Sequence, residues 1–277
     1  MATFSSVRIH SLARVVAYPD STEGLVSLIE ALNENGIPFF VVGRMTNVLI
    51  KERIYNGVLI NTRKIKSKYK AEEQIRVLCG DFLTEIARHQ AAHGLGGFEG
   101  LLGIPGTVGG MVRQNAGAFG YEISDRLINA TCYRISDRSL CTLTREQMSF
   151  SYRSSILANG DLILLYATLR FVPMDRADVF ELMREYADKR RVSQPTEMPS
   201  LGSTFKRYDG VGAGYYIDRA GLKGYAIGGA RVSPKHAGFI VNAGGATADD
   251  YLALVDYIKS RVYAVFGIEL EEEIQII

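Results

Sequence analysis

The sequence of 277 residues contains no tryptophan and only three cysteines, Cys79, Cys132 and Cys141. Because the cysteines are odd in number and form no C-x-x-C pair, they predict buried, reduced thiols and exclude a disulfide framework or a zinc site. The sequence also lacks an apolar run of about eighteen residues, which a transmembrane helix requires. Its first residues lack the continuous apolar core of a signal peptide. These absences predict a cytoplasmic protein without a membrane anchor.

Charge and metal-ligating residues exclude two further classes. The net charge is +2, which predicts no strong attraction to nucleic acid or to a membrane surface. The basic run at residues 63–70 has no aromatic platform beside it and is interpreted as a solvated segment. His89 and His93 have the spacing of a zinc-binding helix, but residue 90 is glutamine and no third ligand is evident. No metal site is therefore predicted.

Glycine, by contrast, is concentrated in one stretch. Residues 94–121 hold ten of the 28 glycines of the chain. Glycine is costly to order, so this density indicates either turns with positive φ or a backbone that lies directly against a ligand. Within the stretch, Pro105 stiffens one turn of Gly103–Gly110, and successive uncovered amides there predict a concavity that binds phosphate. The spacing does not match the G-x-G-x-x-G dinucleotide fingerprint.

The remaining chain alternates predicted helices and strands. Ser21 or Thr22 is a candidate cap for a helix that ends at Asn35-Gly36, and a strand at residues 39–42 then leads into the loop Gly43–Asn47. This loop is a second candidate phosphate cradle, although a plain turn explains it equally well. Further helices are expected at residues 81–93, from about residue 175 and at 247–266, and strands at 127–134, 162–172 and 268–276.

Several motifs occur together in the order of a known family. Gly103–Gly110 followed by residues 114–120, QNAGAFG, resembles the flavin-binding core of the UDP-N-acetylenolpyruvoylglucosamine reductase family. Residues 190–195, RRVSQP, and 199–206, PSLGSTFK, resemble its substrate segments. The longest match is Ala220–Asn242. Gly43–Asn47 corresponds to the family's glycine-rich flavin loop, although larger residues replace its small ones.

The resemblance implies an α/β plus α+β fold. An FAD-binding domain of the vanillyl-alcohol oxidase type, with two α/β subdomains split near residues 65–75, is expected at residues 1–175. A C-terminal α+β substrate-binding domain is expected at residues 176–277. FAD is expected to bind non-covalently. The implied cofactor-binding residues are Gly43, Arg44, Thr46, Asn47, Gly103, Ile104, Pro105, Gly106, Thr107, Gly109, Gly110, Asn115, Ala116 and Gly117.

The resemblance also implies a reaction. NADPH reduces FAD, and hydride then passes to the enolpyruvyl group of UDP-N-acetylglucosamine-enolpyruvate, giving the peptidoglycan precursor UDP-N-acetylmuramate. The implied catalytic residues are Arg153, which meets the substrate carboxylate, Ser203, the proton donor, and Glu273. The implied substrate-binding residues are Tyr152, Arg190 and Lys206. Neither nucleic acid nor a membrane is expected as a partner.

Two alternatives follow from departures from the family pattern. Arg207-Tyr208 and Gln275 replace residues typical of the substrate site, which allows a related FAD oxidoreductase with a different substrate. Glycines are also lost at residues 10–12 and 44–46, where a backbone would approach the flavin. This second departure allows a paralogue that has lost FAD and binds nucleotide sugars.

Overall fold

The computed structural model describes residues 5–277, which divide into two compact units. The larger unit comprises Val15–Arg44 and Gly57–Lys189. The smaller unit comprises the described residues up to Arg14, together with Met45–Asn56 and Arg190–Ile277. Each unit has its own hydrophobic core.

Helices and strands alternate along the described residues. The α-helices are α1 (Thr22–Glu34), α2 (Leu83–Ala91), α3 (Val108–Arg113), α4 (Arg176–Ser193), α5 (Ala213–Arg219) and α6 (Ala248–Phe266). The strands are β1 (Leu12–Ala17), β2 (Phe39–Val42), β3 (Val48–Leu49), β4 (Ile54–Asn61), β5 (Gln74–Leu78), β6 (Leu95–Gly96), β7 (Gly117–Ala118), β8 (Tyr121–Glu122), β9 (Leu127–Arg134), β10 (Ser139–Thr144), β11 (Leu162–Arg170), β12 (Val172–Pro173), β13 (Ser200–Ser203), β14 (Ala226–Ile227), β15 (Ala230–Val232), β16 (Phe239–Asn242) and β17 (Gln275–Ile276).

The larger unit contains two sheets of three or more strands, together with the two-stranded pairs β12-β6 and β7-β8. One has the strand order β1-β4-β2, with β2 parallel to β4. The other is antiparallel in the order β10-β9-β11-β5. The change of sheet lies between Asn61 and Gln74; the sequence predicts a split between subdomains near residues 65–75.

The start of α1 shows how the sequence determines local structure in this unit. The Ser21 side chain accepts a hydrogen bond from the Gly24 amide (3.1 Å), which satisfies one of the amides left open at a helix start. Leu25, Ile29 and Leu32 recur at helical spacing and are buried in the core. The predicted cap and the predicted apolar face are both present.

An antiparallel sheet and α6 form the centre of the smaller unit. The sheet order is β13-β16-β15-β14, and β17 pairs in parallel with β3. A capping box between Thr247 and Asp250 starts α6, and Gly267, with φ of 69°, ends it. Tyr251 is fully buried within this core, whereas Val265, which helical spacing places inward, is 49% exposed.

The units do not divide at the predicted domain boundary. The structure divides α4 after Lys189, not at residues 175/176, because Val179 and Met183 pack in the core of the larger unit. Met45–Asn56 also belongs to the smaller unit, where β3 pairs with β17. Helix and strand periodicity carries no information about such long-range pairing, so the sequence could not indicate either point.

Two predicted elements differ from the observed ones. The helix expected at residues 81–93 is α2, Leu83–Ala91, because the Asp81 carboxylate does not cap it and instead accepts hydrogen bonds from the amides of Ser67 (3.1 Å) and Leu78 (2.7 Å). The strand expected at 268–276 is interrupted. Its residues pair first with Phe205 through a bridge at Glu272 and then with β3, so a single alternating strand does not form.

Within residues 5–277, no helix is long and apolar enough to cross a bilayer. The same residues contain no group of three or more histidine, cysteine or acidic side chains placed to hold a metal ion. His93 Nδ1 lies 2.9 Å from the carbonyl oxygen of His89, so its ring is bonded within its own helix turn.

The cysteines differ in exposure. Cys79 and Cys132 are buried, as expected, but Cys141 is only half-buried on β10, where it faces Cys132 across the antiparallel pair. Burial raises the pKa of the Cys79 and Cys132 thiols to about 12. Since the thiolate is the reactive form, both buried thiols are inert near neutral pH.

Titration with a disulfide reagent at pH 8 is therefore expected to modify one thiol rapidly in the native protein and three in denaturant. Cys141→Ser should remove the rapid reaction and leave two thiols that react only after unfolding. Rapid modification of Cys79 or Cys132 in the native Cys141→Ser protein would contradict the burial described above.

Candidate cofactor cleft and active site

A cleft in the larger unit is a candidate cofactor site. It encloses about 770 Å³, a volume that includes open solvent at its mouth. Its walls are β2 with Gly43, Thr62 and Cys79, the segment Thr107–Arg113, and residues 157–164. Most of the lining is apolar, and Arg113 is its one charged residue among the described part of the chain.

The start of α3 packs tightly on the end of β5. The Val108 amide donates to the Asp81 carbonyl (2.8 Å), and the Gly109 amide donates to the Cys79 carbonyl (2.8 Å). A Cβ at position 109 would lie 3.1 Å from that Cys79 oxygen. Gly109 therefore serves helix–strand packing; it also lies in the cleft lining, and its contact with the cofactor stays a prediction.

Other backbone groups of the glycine-rich loop remain available. The amides of Gly106 and Thr107 donate to no group within residues 5–277. A Cβ at Gly43 would overlap the Thr107 side chain, so the two predicted flavin loops are in direct contact there. A Cβ at Gly110 would meet only the Thr107 hydroxyl, at 3.8 Å, so this glycine leaves the cleft wall open.

These features fit FAD. The cleft has a mostly apolar lining, an uncovered backbone at Gly110, two available amides for a diphosphate, and no acidic lining residue to repel it. Of the other predicted flavin-loop residues, Arg44 places its guanidinium 5.0 Å from the Phe82 ring, and Lys66 lies over the same ring. Arg44 is thus packed on Phe82 in this structure.

The remaining residues of the predicted cofactor set have varied environments. Gly103 adopts a φ of 84° and its amide donates to the Thr84 hydroxyl (3.4 Å). Pro105 is exposed, Ile104 and Thr46 are half-buried, and Ala116 is buried. None of these four side chains extends the lining of the cleft.

The Asn115 side chain is hydrogen-bonded to other residues of the protein. It is buried and has a φ of 40°, and its side-chain nitrogen donates to Glu122 Oε2 (2.8 Å) and to the Ser151 carbonyl (3.1 Å). Its side-chain oxygen accepts from the Ser124 amide (3.4 Å). Asn115 therefore has a positioning role, because its side chain holds the turn that begins at Ser151, and its contact with the cofactor stays a prediction.

That turn carries Arg153. Ser151 and Ser154 exchange backbone hydrogen bonds, and Arg153 at the tip has a φ of 56°, an unfavourable conformation that clusters at functional sites. Arg153 Nη2 donates to the Gly117 carbonyl (2.9 Å), and its guanidinium lies 5.0 Å from the Tyr152 ring. A Cβ at Gly117 would lie 3.0 Å from Glu122 Cγ and from the Tyr121 carbonyl oxygen, and 3.2 Å from Arg153 Nη1. Gly117 thus makes room for Arg153 and for the neighbouring β8.

Ser203 lies at a bulge in the smaller unit. Ser200 and Ser203 of β13 face Val241 and Phe239 of β16, so the register shifts between them, and Gly202 there has a φ of 80°. Such bulges re-aim a side chain and are frequent beside active sites. Within residues 5–277 the half-buried Ser203 hydroxyl has no hydrogen-bond partner, which leaves it available to a ligand.

The structure brings Ser203 and Glu273 onto neighbouring segments. The Glu273 amide donates to the carbonyl of Thr204, the residue next to Ser203, at 2.8 Å. Asn47 donates from its side chain to the Glu273 carbonyl (3.0 Å), and its own carbonyl accepts from the Gln275 amide (2.9 Å). Asn47 therefore fixes the backbone that carries Glu273, a role that the sequence did not indicate.

The predicted substrate-binding side chains differ in their surroundings. Tyr152 is 41% exposed. Arg190 Nη1 donates to Gln194 Oε1 (3.0 Å), and burial lowers the pKa of its guanidinium. Lys206 forms an ion pair with Glu271, and its amide donates to the Glu271 carbonyl (2.8 Å).

Sequence reasoning missed several residues of these sites. Asp81 joins β5 to the basic run, and Glu122 receives the Asn115 hydrogen bond. Arg113 and the apolar residues of 157–164 line the cleft. Only Arg113 had a visible signal, since it is a cation within an otherwise small and apolar stretch, 103–120.

Comparison with known proteins agrees with this geometry. A model of the FAD binding domain matches residues 13–135. A model of the C-terminal domain of UDP-N-acetylenolpyruvoylglucosamine reductase matches residues 194–277. The two domains, the mixed α/β fold and the cleft define an FAD-containing oxidoreductase.

Full-length relatives specify the family. The reductase of this name from Caldicellulosiruptor saccharolyticus is 41% identical over 99% of this chain and 89% of its own length. That of Caldanaerobacter subterraneus is 40% identical over 100% and 91%. The crystal structure of the Thermus caldophilus enzyme superposes with a TM-score of 0.85 at 30% identity, covering 99% of this chain and 96% of that one. The chain belongs to the UDP-N-acetylenolpyruvoylglucosamine reductase family, which decides against both alternatives considered from the sequence.

The adjacent glycines of α3 give a matched pair of variants. Gly110→Val should raise the Kd for FAD at least about tenfold and leave the unfolding temperature of the apoprotein nearly unchanged, because the new side chain enters the cleft. Gly109→Val should instead lower apoprotein stability by about 1–3 kcal/mol, the usual cost of overpacking. Flavin fluorescence titration and thermal unfolding measure the two effects. Equal FAD affinities in the Gly110→Val and wild-type proteins would show that the cofactor lies elsewhere.

Gly117→Ala tests whether this residue serves Arg153 or the cofactor. We expect FAD to remain bound and the reoxidation of the reduced flavin by substrate to slow by at least about tenfold, because the methyl group displaces the Arg153 guanidinium. Stopped-flow absorbance at 450 nm follows the reoxidation. Loss of FAD with normal reoxidation of the flavin that remains would assign Gly117 to the cofactor.

Proposed function

We propose that this chain reduces UDP-N-acetylglucosamine-enolpyruvate to UDP-N-acetylmuramate with NADPH, as a step of peptidoglycan precursor synthesis. Family membership over the full chain and the two domain matches support this assignment. FAD, held by the loop Gly103–Gly110 and by Gly43, supplies the transfer of hydride from NADPH to the enolpyruvyl group. The protein supplies binding, charge stabilisation and the proton.

Ser203 is proposed as the proton donor. Hydride addition to the enolpyruvyl methylene carbon leaves an electron pair on the carbon that carries the carboxylate, and a proton must quench it. The Ser203 hydroxyl is suited to this task because the bulge re-aims it and no described residue occupies it. The observation that carries this assignment is the hydrogen bond between Thr204 and Glu273, which sets both predicted catalytic segments side by side.

Arg153 and Glu273 are proposed to stabilise the charge that develops. The planar guanidinium of Arg153 suits bidentate binding of the substrate carboxylate. Its backbone strain and its bond to Gly117 orient it before substrate arrives. Glu273 serves this step in its protonated form or through a hydrogen bond, since an ionised carboxylate would repel an enolate. Tyr152, Arg190 and Lys206 are proposed to contact the remainder of the substrate.

A cytoplasmic location is part of the proposal. NADPH and nucleotide sugars are cytoplasmic metabolites, and all three cysteines are free thiols. No nucleic-acid partner is proposed. Within the basic run, Lys66 lies over the Phe82 ring and Ser67 is bound by Asp81, so part of this segment packs on the protein.

Ser203→Ala is expected to leave flavin reduction by NADPH nearly intact and to slow reoxidation by the enolpyruvyl substrate by about 10²–10⁴-fold, the range for a lost general acid. Glu273→Gln should show the same selectivity for reoxidation. Glu269→Gln, on an exposed residue of the same segment, is the matched control and should change neither step. Rapid mixing resolves the two half-reactions. Equal slowing of both by Ser203→Ala would assign the serine to flavin or fold and end its role as proton donor.

A further inference from the structure

The charge of Arg113 on the cleft wall has no partner that explains it. Arg113 ends α3 and is half-buried, and none of the described residues that line the cleft is acidic. No carboxylate within residues 5–277 forms an ion pair with it. Burial lowers the pKa of its guanidinium, which nevertheless stays charged at neutral pH. A guanidinium without an ion-pair partner on the cleft wall is available to stack on a ligand.

The direction of the side chain distinguishes two regions of the cleft. Gly43 and Gly110 cluster around Thr107, beside the available backbone amides. Arg113 lies three residues beyond Gly110 on the same helix face, roughly 4.5 Å further along the axis. Its Nη2 donates to the Ala158 carbonyl (3.4 Å), so the guanidinium reaches the apolar region formed by Leu157, Leu162 and Leu164.

The apolar part of the cleft beside Arg113 is suited to bind a flat, uncharged ring. A diphosphate requires hydrogen-bond donors, which the backbone near Thr107 offers, whereas leucine side chains offer none. Adenine has two apolar faces, and a planar guanidinium stacks on aromatic faces with a cation–π contribution that increases on desolvation. We propose that Arg113 stacks on the adenine ring of FAD and thereby makes the cleft prefer FAD to the mononucleotide FMN. This proposal rests on FAD binding in the cleft.

The test uses apoprotein prepared from the purified holoprotein. The dissociation constants of FAD and FMN are measured by flavin fluorescence, and those of adenosine and ADP by calorimetry. Arg113→Ala should raise the Kd of FAD, adenosine and ADP by a common factor of about 5–30, the range for a desolvated cation–π contact, and leave the Kd of FMN unchanged. Arg113→Lys retains the positive charge but lacks the planar guanidinium. It should therefore raise the Kd of FAD, adenosine and ADP nearly as much as Arg113→Ala does.

Control variants and opposite results make the proposal falsifiable. Arg170→Ala removes an exposed arginine outside the cleft and should change no Kd. Weaker ADP binding with unchanged adenosine binding would show that Arg113 binds phosphate, and an unchanged FAD affinity would remove Arg113 from the site; either result overturns the proposal. If FMN binding falls together with FAD binding, Arg113 supports the fold of the cleft and the stacking is rejected. Failure of the wild-type apoprotein to bind FAD would instead overturn the cofactor assignment itself.

Discussion

The cofactor cleft depends on the close packing of α3 against the end of β5. Two backbone hydrogen bonds, from Val108 to Asp81 and from Gly109 to Cys79, join these elements, and a Cβ at position 109 would crowd the Cys79 carbonyl oxygen at 3.1 Å. The Asp81 carboxylate in turn binds the amides of Ser67 and Leu78. The loop before α3 is thereby fixed against Gly43, and the wall of the cleft is set before any ligand binds.

A second polar centre in the same unit governs Arg153. The buried amide of Asn115 uses its donors and its acceptor to connect Glu122, Ser124 and Ser151. Such a fully satisfied network is rigid, because the loss of any member leaves a buried polar group unpaired. This rigidity sustains the left-handed backbone of Arg153, a strain that an isolated turn would release.

In the smaller unit the chain terminus is held by residues far away in sequence. Glu273 is fixed by the Thr204 carbonyl and by the Asn47 side chain, and Lys259 forms an ion pair with the neighbouring Glu272 (2.8 Å). Glu273, which is proposed to act in catalysis, is ordered by these contacts. Residues 268–276 do not form one regular strand, because Glu272 pairs with Phe205 whereas Gln275 and Ile276 pair with β3.

The sequence by itself determined the helices and strands with strong periodicity, the caps at Ser21 and Thr247, and, through motifs in a shared order, the family and its chemistry. These features are local or are carried by residue identity. Only the tertiary structure decided why particular glycines are required: Gly109 and Gly117 make room for Cys79 and Arg153, whereas Gly110 leaves the cleft open. It also decided the division of α4 and the positioning role of Asn47, because pairing between distant segments leaves no periodic trace in either one.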